Sequence, residues 1–495
     1  MRHLFLNYSK LAERDNVDRV LGPPKLHPEN PLTLNGEVVW KRNNLHFTWY
    51  RDEASGDFLG WHTVHHSSAD RPDARWQPHV RRCRSRDGLA WEDFGEPGIA
   101  ETVILDPSEP DPRRRYKCVY QGVAVLNEDG TVQVPMDRYE DLLDAARSGK
   151  DVNIGIFSAC SADGVRWRDH RPVAIDAYRL WEPAIALGHN PDRDGKRRKH
   201  KWWKPGMPGW AGGDSFPCLM YRPEQREYVA YYRTNIDRRT SLFPEARRRE
   251  RGVGRSECTL FGEWSEHELA MRSNVDWQDV LGYGKQDFYQ LQVWRCADVY
   301  LGIVSVFYWE EDRNHLELAW SPDTIHWERV CPYHDLVPHG ELGEFGGGNC
   351  YASMRPQEID GEVRVYFGAD NGRHNADGGR RESTLMLALF GRDRLAGISP
   401  KRGRKGRVAT APFDLDEGTL TLNADATAGE VRTELQDEEG QPIPGFTLEE
   451  CEPLREDATE AEVRWKGGNL AEIKGCPVRL LFEFEGAVLY AYELT

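Results

Sequence analysis

Five acidic residues stand at or just before the first strand of successive β-rich runs: Glu37, Glu101, Asp214, Asp287 and Glu344. If these strand starts converge on one pocket, crowding like charges in a desolvated space raises the pKa of one carboxyl while another stays ionised. A protonated carboxyl helps a leaving group depart and an ionised one helps the attack. That pair is the apparatus for breaking a glycosidic bond, and its separation, roughly 5–5.5 Å or roughly 6.5–9.5 Å, sets retention or inversion. Asp214 is the foremost candidate, because Gly212-Gly-Asp-Ser places it directly before an apolar run. Glu101, within Ala100-Glu-Thr-Val-Ile-Leu, is second, with Asp287 and Glu344 as alternates.

Residues 189–213 carry a second kind of chemistry. From Asp192 to Lys204 there are seven Lys or Arg against two Asp, and Trp202, Trp203 and Trp210 follow around a Lys-Pro-Gly-Met-Pro-Gly stretch. Indoles stack on the apolar faces of sugars, and Lys or Arg binds hydroxyls or an anionic group. Because this segment leads straight into Asp214, it is expected to wall the pocket. Arg255 and His374 complete the candidate substrate contacts. Gly346-Gly-Gly-Asn349 lacks the Gly-Lys-Ser/Thr of a phosphate loop, so its glycines are read as permitting a close backbone approach near the axis. The ten cysteines are scattered with no Cys-x-x-Cys, which points to buried reduced thiols. No metal ligand cluster and no cofactor motif stand out.

These residues need elements to hold them. Short β-rich runs recur at 45–50, 116–120, 228–232, 300–308 and 363–367, separated by Gly, Asn, Asp and Pro, the pattern of an all-β chain. One helical spacing, around Tyr139, Leu142, Leu143 and Ala146, reads as an insertion between strands. Ser85-x-Asp87-Gly-x-x-Trp91 repeats as Ser161-x-Asp163-Gly-x-x-Trp167 and Ser321-x-Asp323-Thr-x-x-Trp327, with a degenerate copy from Ser256 to Trp264. The tryptophans stand 76, 97 and 63 residues apart, too irregular for a solenoid and suited to propeller blades with loops of different length. The expected architecture is a five-bladed β-propeller over residues 1–400, its fifth blade completed by a strand from the N-terminal segment. A basic, Gly-rich linker at 401–407 and a C-terminal β-sandwich over 408–495, with period-two alternation, follow.

The Ser-x-Asp-Gly-x-x-Trp units, the Asp-Pro hairpin from Asp106 to Arg115, Gly213-Asp-Ser-Phe-Pro-Cys-Leu-Met-Tyr and Tyr366-Phe-Gly-Ala-Asp-Asn-Gly-Arg-His together resemble the five-bladed propeller glycoside hydrolases, the superfamily of invertases, inulinases and arabinanases. The resemblance implies a trio of carboxylates on the innermost strands of the first three blades. By blade order, it makes Glu37 the nucleophile or base, Glu101 the transition-state stabiliser and Asp214 the acid. The chain departs from the superfamily pattern in blade one, where Thr33-Leu-Asn-Gly-Glu37 stands in place of Asn-Asp-Pro-Asn-Gly. Asp106 and Glu257 look like the superfamily's Arg-Asp-Pro and Glu-Cys residues. Asp106 follows its strand, however, and Glu257 falls in a blade-end repeat. The resemblance implies a glycoside hydrolase that removes terminal sugars, furanosides among them, from oligosaccharides or glycosides. A carbohydrate-binding propeller without turnover is the alternative.

Charge and composition bound the partners. The 495 residues carry 65 basic and 81 acidic side chains, and 20 acidic against 6 basic residues lie between Val408 and Thr495. The acidity therefore belongs to the C-terminal part, and no basic footprint for nucleic acid is present. No apolar stretch is long enough for a membrane span. The apolar start, Leu4-Phe-Leu6, is too short for a secretory signal, which points to the cytoplasm or to an exported protein whose signal is already removed. A homo-oligomer is left open.

Overall fold

The computed structural model describes residues 2–52, 55–64, 79–150, 152–175, 209–211, 216–236, 250–273, 285–376 and 381–495, with only the backbone at 209–211 and 250. Among these the chain is all-β, with one α-helix, Tyr139–Arg147, inserted between strands Val132–Val134 and Val152–Ser161.

Five sheets follow one another along the chain. In the first, Phe47–Arg51 lies at one edge, followed outward by Phe58–Thr63, Val80–Ser85, Ala90–Gly98 and Thr33–Leu34. The second runs Thr102–Leu105, Tyr116–Leu126, Val152–Ser161, Trp167–Ile175. The third sets Gly209–Ala211 and Cys218–Arg222 beside Glu227–Ile236, then Glu250–Cys258 and Glu268–Arg272. The fourth runs Gln286–Cys296, Val299–Tyr308, Arg313–Ser321, Glu328–Arg329. The fifth begins with Cys350–Ala352, Glu362–Asp370 and Glu382–Gly391. It is completed by Lys25–Leu26 and Lys41–Arg42 from the N-terminal segment.

The inner edges of these sheets are bonded in a ring. The Thr48 hydroxyl donates to the Glu101 carbonyl at 2.7 Å, joining sheets one and two. Thr102 donates to the Pro217 carbonyl, joining two and three. Gln292 donates to the Phe216 carbonyl at 3.5 Å and Gln290 to the Ala352 carbonyl at 3.3 Å, carrying the chain of contacts through sheet four to sheet five. The Met354 amide donates to the Phe47 carbonyl at 3.0 Å and closes the circle.

The repeated Ser-x-Asp-Gly/Thr-x-x-Trp segments are the outer hairpins of sheets one, two and four. In each, the Ser hydroxyl donates to the Asp carboxylate and accepts the amide of the fourth residue, while the carboxylate accepts the next two amides. The fourth residue has positive φ at Gly88 (80°), Gly164 (69°) and Thr324 (77°), which explains Gly in two copies. These turns also dock on the preceding sheet: Tyr366 donates to the Gly88 carbonyl and Tyr231 to the Thr324 carbonyl. Trp91 packs edge-on against Phe47, Phe58 and Tyr366, and Trp327 against Tyr231.

Two more sheets share a separate apolar core that includes Phe5, Val408, Leu422, Leu480, Phe482 and Leu489. The N-terminal strands Arg2–Leu4, Leu11–Asp15 and Val17–Leu21 all pair into them, with Val488–Leu494, Gly406–Thr410 and Ala396–Pro400 respectively. This corrects the expected boundaries. Residues 401–405 are a turn between two strands of the C-terminal sheets, not a linker after the ring, and residues 2–21 belong to the same unit. Asp298 fastens the N-terminus to sheet four through His3 at 3.0 Å, the Leu4 amide and Asn7. All ten cysteines are free and seven are buried, as the sequence suggests.

The Asp323 carboxyl is held down to about 2. Burial opposes the shift, but the amides of His326 and Ile325, the His326 ring and the Ser321 hydroxyl outweigh it. Because the folded pKa lies below the unfolded one, this contribution is present above about pH 4 and is lost as pH falls through about 2. Asp323→Ala is expected to cost about 1 kcal/mol at pH 7, a modest figure because the carboxylate is partly exposed. The gap to wild type, measured by urea unfolding at stepped pH, should close on acidification.

Candidate functional site in the mouth of the ring

The inner strand of each sheet starts, and the second strand ends, on the same side of the ring. Side chains from all five sheets meet there. Glu101 precedes the inner strand of sheet two and is 3 % exposed. One carboxylate oxygen lies 3.1 Å from His79 Nε2, and the other accepts the Gln121 amide at 2.8 Å. Asp370 ends the second strand of sheet five and is fully buried. It accepts from Arg381 Nε at 2.6 Å, from Asn349 at 3.3 Å and from the Ser383 hydroxyl. Burial pushes its pKa up against the pull of Arg381. Arg381 also reaches the His374 carbonyl and the Asn44 side chain, each at 2.5 Å.

Lys41 lies between these carboxylates in charge terms. Its ammonium donates to Thr63 at 3.1 Å. Burial pulls its pKa down to about 8, while Asp370 and Glu101 push it back up and Arg381 lowers it further. Asp287 begins the inner strand of sheet four and is fully buried, its oxygens accepting the Arg251 amide and Trp309 Nε1, each at 3.1 Å. Burial raises its pKa above the usual carboxyl range, against Lys285 and Arg251.

Aromatic rings line the same side. His374 has Nδ1 3.2 Å from the Tyr351 hydroxyl and Nε2 3.4 Å from that of Tyr289, and its ring leans on Tyr289 and Phe307. Tyr351 is further held by Asn44 at 2.9 Å and Asn314 at 3.1 Å. His46 stacks on Phe216 with centroids 5.0 Å apart and planes 8° apart.

The sequence-derived candidates divide clearly. Glu101, Asp287 and His374 lie in this mouth. Glu37 does not start an inner strand: it sits in an exposed turn bonded to Leu34, because the inner strand of sheet one starts only at Phe47. Glu344 also lies in an exposed turn, several residues before the inner strand of sheet five at Cys350. Arg255 is 2 % exposed and is spent on Glu257, Glu268 and the Thr324 hydroxyl at the outer turn of sheet four. It braces two sheets at the end of its strand away from the mouth. Asp214, Trp202 and Trp203 lie outside the described residues, as does the side chain of Trp210. Asp106 accepts from Tyr228 and Ser108 at the far end of the strand that Glu101 precedes, five residues on and roughly 16 Å away. The Gly346–Asn349 segment does serve close approach. The Gly346 and Gly348 amides bond the Asp370 carbonyl, and a Cβ on Gly348 would lie 2.1 Å from the Gly372 carbonyl.

Lys41, Asn44, Tyr351, Asp370 and Arg381 were not singled out from sequence. Asp370 stands inside the Tyr366–His374 motif, so that signal was available. Lys41 and Arg381 carry no local pattern.

No protein-family model matches the chain, and no curated protein does. Among solved structures, it is similar to an N-acetylgalactosamine deacetylase from F. plautii (13% identity, TM-score 0.37, 77% of this chain and 97% of that one). It is also similar to a Bombyx mori GH32 beta-fructofuranosidase (11%, 0.39, 95% and 94%) and to a thermostable family-43 glycoside hydrolase (11%, 0.39, 71% and 94%).

Removing one side of a buried ion pair strands the other charge, so Arg381→Met is expected to cost about 3–5 kcal/mol. Adding Asp370→Asn to it should restore part of that loss, read by denaturant unfolding. Lys41 gives a pH signature. Its folded pKa of about 8 lies below the ordinary 10.5, so the unfolded chain holds the proton to higher pH. Wild-type stability should therefore rise relative to Lys41→Met between about pH 8 and 10.5 and run parallel below pH 8. A constant difference across that window would show that Lys41 titrates normally.

Proposed function

We propose that the chain is a glycoside hydrolase that removes terminal sugars, furanosides among them, from oligosaccharides in the mouth of a five-bladed β-propeller, with the C-terminal sheets forming a bracing sandwich. The observation that carries this reading is Glu101. It is a carboxylate buried at the start of an inner strand, held from both oxygens and electrostatically coupled to Lys41. It shares the mouth with the aromatic surface of Tyr289, Phe307, Tyr351 and His374. Glycosidic cleavage needs a fixed carboxylate beside a proton donor and apolar surface for the sugar ring. Glu101 supplies the fixed carboxylate. Asp214, which falls in sequence between the two inner-strand segments of sheet three, is assigned the proton donor, with Asp287 as the reserve. Exo action is part of the proposal: the mouth belongs to a closed ring, which suits a chain end better than a chain middle.

The test is sugar release from a panel of aryl glycosides and oligosaccharides, furanosides included. Wild-type release is expected to fall at least 100-fold in Asp214→Asn and in Glu101→Gln, with folding checked by circular dichroism. Release that survives Asp214→Asn but not Asp287→Asn would move the acid to sheet four. No release from any substrate, with sugar binding retained in a titration, would replace the enzyme by a binding protein.

A further inference from the structure

Outside the mouth, one cluster among the described residues is chemically unfinished. His315 lies on the third strand of sheet four, Arg313–Ser321, two strands out from the axis. Asp335 and His339 lie on the segment between strands Glu328–Arg329 and Cys350–Ala352. One ligand atom from each of the three lies within 4.8 Å of the others. The two imidazoles are stacked, with centroids 4.0 Å apart and planes 21° apart.

Their hydrogen-bond state points to a missing partner. His315 Nδ1 is bonded to Asp335 at 2.8 Å, which orients the ring. His315 Nε2 faces Glu311 Oε2 at 3.2 Å, yet it makes no hydrogen bond, and both nitrogens of His339 are buried with none. His315 is 7 % exposed. Buried polar nitrogens without partners are unfavourable. Two imidazoles beside two carboxylates are the donor set of a divalent transition ion, and a carboxylate-oriented histidine is the usual support of such a ligand.

We propose that His315, Asp335 and His339 bind one divalent transition-metal ion, Zn2+ in the first instance, the ion taking His315 Nδ1 in place of its hydrogen bond to Asp335 while Glu311 orients the ring from the Nε2 side. Ligands of a four-coordinate zinc at about 2.0–2.1 Å stand about 3.3 Å apart, so the side chains draw closer together on binding. The ion ties the 330–349 segment to sheet four. That segment ends in Gly346 and Gly348, whose amides hold the Asp370 carbonyl in the mouth. The site is thus a brace for the Asp370 clamp and stands independently of the hydrolase proposal.

The full-length chain, stripped with chelator and dialysed, is titrated with Zn2+ alone by calorimetry, and uptake is counted by elemental analysis. One tightly bound ion per chain is expected, with affinity falling at least 10-fold in His315→Gln, His339→Gln and Asp335→Asn. No uptake by wild type, or equal uptake by all three variants, overturns the proposal. If the variants fail to fold, Co2+ substitution of wild type decides. The strong visible absorption of four-coordinate Co2+ with nitrogen and oxygen ligands supports the site. Its absence, or a thiolate charge-transfer band that places the ion on cysteine, overturns it.

Discussion

The structure depends on the closing of a ring by single hydrogen bonds. Thr48, Thr102, Gln290 and Gln292 each reach from one inner strand to the backbone of a neighbouring sheet, and Met354 returns to Phe47. Inner strands have few neighbours of their own on the axis side, so side-chain amides and hydroxyls take over the pairing that a continuous sheet would give. The arrangement gives the inner strands partners across the gaps between sheets, and it sets the strand starts on one side. The outer hairpins do the complementary work. Their Ser–Asp turns fix a positive-φ residue and set a tryptophan against the neighbouring sheet.

Because the ring collects strand starts, it also collects charge in a place with little water. Glu101, Asp287 and Asp370 are all buried, and each is matched by fixed donors rather than by solvent. The Asp370–Arg381 pair is the most enclosed. Such a pair adds little net stability, yet it holds Asn44, His374 and the 346–349 segment in a single arrangement. Lys41 answers to the same field, which is why burial and the two carboxylates act on it in opposite directions.

The all-β architecture, the inserted helix and the Ser-Asp-Trp hairpins were legible because each rests on local pattern: alternation, helical spacing, a turn that needs glycine. The place of Glu101 and Asp287 at the starts of inner strands was legible for the same reason, since each directly precedes or begins an apolar run. Glu37 and Glu344 failed by the same rule. Each precedes a strand in sequence, but an intervening turn separates it from the inner strand, and no periodicity reveals a turn of that length. Arg255 failed because basic residues near a motif look alike whether they face a ligand or two glutamates. The N-terminal strands were missed because Leu11-Ala-Glu-Arg-Asp15 is too polar to read as a strand until Gly406–Thr410 pairs with it.

The sequence by itself determined the strand-rich class, the repeated hairpin chemistry, the reduced cysteines and the acidic C-terminal part, because composition and short-range spacing suffice for these. Tertiary structure alone decided which charges meet. Lys41 and Asp370 are more than 300 residues apart in the chain, and His315, Asp335 and His339 come together only because a long segment folds back on its own sheet. Electrostatic partnership depends on distance and on the water excluded between groups, and neither is written in the order of the residues.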